Sequence, residues 1–114
     1  MYQYQNQQRV TSEQNPRGID KMTLTHLADF AGKNPKLRTF ARVSLNPGEE
    51  VPFHIHTGEC EYYYILSGTG VYRDNEEDVA VQPGLVTFTP SGNGHGIRNT
   101  GSEQLEFIAL ILLD

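Results

Sequence analysis

From Lys36 onward, apolar, β-branched or aromatic runs are cut at short intervals by Pro, Gly, Asn or Asp, and this spacing constrains the fold most. The runs are 37–45, 51–56, 60–66, 69–73, 78–82, 85–89, 94–100 and 105–113. Between them stand Asn46-Pro47-Gly48, Thr57-Gly58, Gly68, Asp74 to Glu77, Pro83-Gly84, Pro90 to Asn93 and Gly101-Ser102. Almost nothing keeps a helical period, so the pattern is all-β. Residues 22–27, MTLTHL, alternate apolar and polar and add a ninth predicted strand, which makes the chain the material of a sandwich or small barrel. The last run, LEFIALILL, is apolar on both faces and is predicted to lie centrally in its sheet.

At 114 residues with 37% hydrophobic composition, the chain has material for one domain and one core. Residues 1–21 are rich in Gln, Asn and Ser, reach Pro16-Arg17-Gly18 and read as an arm, leaving 22–114 as the barrel. Such an arm is either frayed or ordered against a neighbouring subunit, and Tyr2 and Tyr4 at strand spacing support the second option. The net charge of −5, with no basic stripe, argues against a nucleic-acid surface. The longest apolar run, 107–113, is too short to span a bilayer, and the N-terminus has no apolar signal segment. One cysteine, Cys60, gives no intramolecular disulfide and fits a reducing compartment. The expectation is a soluble, cytoplasmic protein.

The chemistry concentrates in GEEVPFHIHTGECEYYYILSG, residues 48–68. Residues i and i+2 of a strand point the same way, about 7 Å apart, so the imidazoles of His54 and His56 can converge on one ion. Glu61 follows in the next run and shares its face with Tyr63 and Ile65, while Tyr62, Tyr64 and Cys60 take the opposite one. Tyr63 is therefore the tyrosine predicted to line a pocket beside the ion, with a second reading as a core aromatic that only shapes it. A further histidine, His95, stands between Gly94 and Gly96, residues that allow close backbone approach, and it completes a candidate set of four ligands. His26 has no spaced partner and is not expected among them. In the run 37–45, Arg38, Phe40, Arg42 and Ser44 share a face. Turned to the cavity, Arg42 would pair with a substrate carboxylate or phosphate; turned outward, it is a solvated surface arginine, the favoured reading.

These spacings resemble those of the cupin superfamily. Its first motif, G-x5-H-x-H-x4-E-x6-G, is matched by Gly48, His54, His56, Glu61 and Gly68. The second, G-x5-P-x-G-x2-H-x3-N, is matched by Gly84, Pro90, Gly92, His95 and Asn99. The resemblance implies a double-stranded β-helix (jelly-roll) barrel, usually a homodimer, with His54, His56, Glu61 and His95 around one divalent metal. It also implies an N-terminal strand that packs on or exchanges with the partner.

Three neutral imidazoles and one carboxylate leave a divalent ion with net positive charge and, in six-coordination, two open positions. Such ligands suit iron, manganese, nickel, cobalt, copper or zinc. The leading expectation is a metalloenzyme acting on a small oxygen-bearing substrate as a dioxygenase, decarboxylase, lyase or sugar isomerase. A non-catalytic module that binds a small sugar or carboxylate is the alternative. A storage role fits poorly, because storage relatives are larger and built from two such units.

Overall fold

Ten strands form among the described residues and pair into two antiparallel sheets. The computed structural model describes residues 1–14, 21–28 and 30–114. In chain order the strands are β1 (Arg9–Gln14), β2 (Lys21–His26), β3 (Leu37–Leu45), β4 (Glu50–Ile55), β5 (Glu59–Ser67), β6 (Gly70–Asp74), β7 (Glu77–Val81), β8 (Val86–Thr89), β9 (Gly94–Arg98) and β10 (Leu105–Leu113). One sheet runs β1-β2-β3-β10-β5-β8 and the other β4-β9-β6-β7. Together they form a barrel, as the punctuation predicts, and it is the jelly roll that the cupin resemblance implies. Two short 3-10 turns, Gln5–Gln7 and Phe30–Gly32, complete the regular structure described. No helix among the described residues is long and apolar enough to cross a membrane.

Alternation decides what each strand buries. In β3 the buried residues are Ala41, Val43 and Leu45, in β5 Glu59, Glu61, Tyr63 and Ile65, and in β10 Leu105, Phe107 and Ala109. From the smaller sheet Val51, Tyr72, Val81 and Ile97 close the core. Each large apolar side chain removed from water there contributes roughly 1.5–3 kcal/mol. β10 lies between β3 and β5, the central place its doubly apolar sequence requires.

The pairing departs from the sequence reading at the N-terminus. Within 1–21, β1 pairs antiparallel with β2 of the same chain, Arg9 opposite His26 and Glu13 opposite Met22. Its sequence, RVTSEQ, has one large aliphatic residue and no alternation, so hydrophobic patterning could not reveal it. It is an edge strand, held by backbone pairing on one side. The Pro16-Arg17-Gly18 break lies outside the described residues.

Two loop devices set the ends of the barrel. Gly68 has φ +93°, and a Cβ there would lie 2.7 Å from the Gln104 carbonyl oxygen, so the β5–β6 connection needs glycine twice over. The buried Asn99 donates from Nδ2 to Leu45 O at 2.9 Å and Glu103 O at 2.7 Å, while its Oδ1 accepts from Gly101 N–H. This ties the β9–β10 loop to the end of β3.

Candidate metal centre

β4 and β9 pair with His54 directly opposite His95, which places both imidazoles on one face of the smaller sheet. A Cβ on Gly96 would lie 2.9 Å from Phe53 N and 3.0 Å from Val51 O, both backbone atoms of β4. Glycine beside His95 is thus what lets the two strands approach. His56 lies just past the end of β4, yet its backbone remains paired: its N–H donates to Asn93 O at 3.0 Å, and its carbonyl accepts from Gly92 N–H at 2.7 Å. From the larger sheet, β5 brings Glu61 up to these three histidines.

Four donor atoms meet. His56 Nε2 stands 3.0 Å from the Nε2 atoms of both His54 and His95 and 3.0 Å from Glu61 Oε1, and that oxygen is 2.8 Å from His95 Nε2. All four atoms lie within 4.8 Å of one another, so the cluster can hold a metal ion. For an ion about 2.1 Å from each donor, neighbouring ligands stand about 3.0 Å apart in an octahedron and about 3.4 Å in a tetrahedron. The short contacts fit the octahedral edge.

The far side of each ring explains why Nε2 points inward. His54 Nδ1 donates to Pro52 O at 2.7 Å. His56 Nδ1 donates to Glu59 Oε1 at 2.8 Å. His95 Nδ1 meets the hydroxyls of Tyr72 and Thr89, each at 2.9 Å. Burial pushes the Glu59 carboxyl upward, but hydrogen bonds from His56 and Arg38 and the nearby positive charge outweigh it, so it lies below its usual value and stays ionised. A carbonyl and an ionised carboxylate only accept, which fixes the proton of His54 and of His56 on Nδ1. Burial, with the neighbouring imidazoles, holds His54 below its ordinary value against the opposing Pro52 hydrogen bond, so this ring is neutral at neutral pH. His54 Nε2 therefore turns a lone pair toward His56 Nε2, 3.0 Å away, and toward the other donor atoms of the cluster. Three imidazoles and a carboxylate converging in this way are a donor set that fits a divalent transition ion.

Around the cluster lies a cavity of about 390 Å³, lined in part by Leu24, Val43, Tyr63, Ala109 and Ile111. Tyr63 is buried there as its parity predicts, and its ring stacks on His95 at 4.9 Å. Burial raises its phenol well above the usual value, and the Glu61 carboxylate adds to the shift, so it stays protonated. Arg42 does not join the site. It lies on the face of β3 opposite Ala41 and Val43, the outward placement the sequence favours.

Arg38 takes the place at the cavity instead. Strict alternation puts it with Arg42, but Ile111 pairs with Thr39 and Leu112 with Leu37, which leaves Arg38 as the extra residue of a β-bulge. Its guanidinium lines the cavity and forms an ion pair with Glu59. Glu59 is the functional residue the sequence reading missed. It shares the parity of Glu61 and Tyr63, a signal that was present; Tyr72 and Thr89, behind His95, had none as strong. Cys60 is half-buried on the opposite parity, away from the ligands.

The cupin domain, as a family, matches residues 41–111, more than half of the chain. The chain is a member of the cupin family. This cupin is 43% identical over 106 residues to the oxalate-binding protein of Thermotoga maritima, which covers 93% of this chain and 86% of that protein. It is also similar to the crystal structure of a predicted oxalate decarboxylase from Thermotoga maritima, with TM-score 0.89, 42% identity and 100% of both chains covered. A putative sugar phosphate isomerase from Acidithiobacillus ferrooxidans shares the fold at TM-score 0.72 and 26% identity, over 81% of this cupin and 59% of that chain. The cupin barrel hosts proteins given different activities, so function must be argued from the site.

Proposed function

We propose that this cupin binds one divalent transition metal through His54, His56, Glu61 and His95 and decarboxylates a small dicarboxylate of the oxalate class there. The observation that carries the metal is the convergence of four donor atoms within 4.8 Å, with Nδ1 of His54 and of His56 held by Pro52 O and Glu59 so that Nε2 faces inward. When bound, the metal supplies Lewis acidity, net positive charge beside an anion and open coordination positions. The protein's own contributions are separate. Leu24, Val43, Ala109 and Ile111 make part of the wall apolar, in a cavity with ample room for a ligand of a few heavy atoms. Arg38 at the bulge provides a cation on the same wall.

Conversion of the oxalate dianion to formate and carbon dioxide breaks the C–C bond and places one added proton on the carbon that remains. Tyr63, kept protonated inside the cavity, is the donor in this reading and regains its proton from solvent. The Thermotoga relative named as an oxalate-binding protein favours a second reading, capture of the dicarboxylate without turnover.

Elemental analysis of protein purified without added metal should find one of iron, manganese, nickel, cobalt, copper or zinc near one ion per chain. Oxalate should then raise the melting temperature of the metal-loaded protein well beyond any rise in the metal-free protein, and formate should accumulate. Stabilisation without formate selects the binding reading. Equal oxalate affinity in the metal-free chain rejects both.

A cytoplasmic setting, without nucleic acid or membrane as partner, belongs to the same proposal and rests on the acidic charge and single cysteine. So does a homodimer. Phe40, Tyr62, Tyr64, Leu66, Val86 and Phe88 are exposed on the outward side of the larger sheet, an apolar face that a second copy would cover. Arg42 and Glu106 flank it with opposite charges, as a self-complementary surface needs. Packing of residues 1–21 against that second copy is the remaining part. Tyr64→Lys should halve the particle mass in solution; an unchanged mass removes this face from the interface.

A further inference from the structure

The metal cavity shares a wall with a second one. A space of about 420 Å³ lies next to it, and His26, Arg38 and Thr39 line both. The N-terminal segment supplies much of the remaining wall, through Tyr2, Gln3, Gln7 and Arg9. The two spaces differ in charge. The inner one carries Glu13, Glu59 and Glu61, whereas no carboxylate is found among the described residues lining the outer one, which has two arginines. In a chain of net charge −5 this is a local reversal of sign.

The fold accounts for the reversal. Arg9 is the register partner of His26 across β1 and β2, so both side chains fall on one side of the sheet. The bulge in β3 then turns Arg38 toward the same wall. Arg38 already has Glu59 as an ion-pair partner; Arg9 has none among the described residues. Gln7 accepts the Tyr4 N–H at Oε1, which leaves its Nε2 donors for the cavity. A guanidinium with no ion-pair partner and no lining carboxylate among the described residues, in a partly enclosed space, focuses field on small anions and offers a two-point grip to a carboxylate.

We propose that this outer cavity is an anion-binding vestibule that takes a small carboxylate dianion from solvent, with Arg9 as its main contact and Arg38 as the shared post between vestibule and metal cavity. Its destination rests on the carboxylate reading of the metal site; its own binding does not. The N-terminal segment thereby becomes part of the approach to the site.

Oxalate is the probe. Titrated into the chelator-treated full chain and followed by NMR of arginine Nε–H groups, it should give saturating shifts at Arg9 and Arg38. Arg9→Gln should abolish the Arg9-dependent binding, and Arg9→Lys should weaken it several-fold by losing the planar fork. In the metal-loaded protein, Arg9→Gln should slow oxalate association about tenfold at low salt, with the gap closing at high salt and metal content unchanged. Absence of shifts at Arg9 in the metal-free chain overturns the vestibule, as do equal, salt-independent rates. Arginine shifts without uptake at the metal would leave the vestibule standing and remove the proposed metal-site ligand; uptake at the metal with silent arginines would do the reverse.

Discussion

Glu59 holds His56 by its far nitrogen, and in doing so decides which nitrogen faces the ion. Such partners outside the ligand shell commonly change metal affinity by about ten- to a hundredfold. Glu59→Gln keeps the shape but loses the charge that pairs with Arg38 and lets the amide compete for the wrong tautomer. Its affinity for zinc, measured against a chelating dye, should fall by about that factor with the circular dichroism of the sheets intact. Unchanged affinity would show that His56 is oriented by packing alone. At this scale the sequence carried the ligands well, because His54, His56 and Glu61 obey a period of two and His95 is marked by its glycines. It carried Glu59 equally well in principle, two positions before Glu61 on the same face. What it could not carry was Arg38, since a bulge breaks the period that places side chains.

The strand pair β4–β9 is the element on which the site turns. Its register sets His54 against His95, and its close approach depends on backbone with no Cβ at Gly96. In Gly96→Ala the new methyl meets Phe53 N, Phe53 Cα and Val51 O at 2.9–3.0 Å, all backbone, so the strands must part. Overpacking of this kind costs about 1–3 kcal/mol. The variant should melt lower even when metal-free, and should lose metal affinity as well because His95 moves with its strand; a variant that loses neither would refute the close-approach argument. Strands with one apolar face were legible for the reason that β3, β5 and β10 show: burial alternates with sequence. β1 was not, since its pairing is made by backbone groups that every residue has, and its side chains vary little in hydrophobicity from one face to the other.

Taken whole, the molecule is two sheets whose core is apolar at one end and polar at the other. His54 and His95 belong to the smaller sheet, His56 follows directly on its strand β4, and Glu61 belongs to the larger, so an ion in the cluster joins the two layers. The unfolded chain cannot hold the four donors within 4.8 Å, and binding free energy then appears as folding free energy. At free metal one hundred times the dissociation constant, the folded state gains about 2.7 kcal/mol. For a chain of this length that raises the melting temperature by about 10 °C. Chelation should therefore lower the melting temperature of the purified protein by a comparable amount, and re-addition of metal should restore it. His54→Ala supplies the control, because it removes a donor from the smaller sheet at a half-exposed position whose truncation leaves the apolar core untouched. Its metal-free form should melt close to the metal-free parent, and added metal should move it much less. Since any ion bound only by the native state must stabilise it, an identical melting temperature with and without saturating metal would show that the four side chains do not form a metal site.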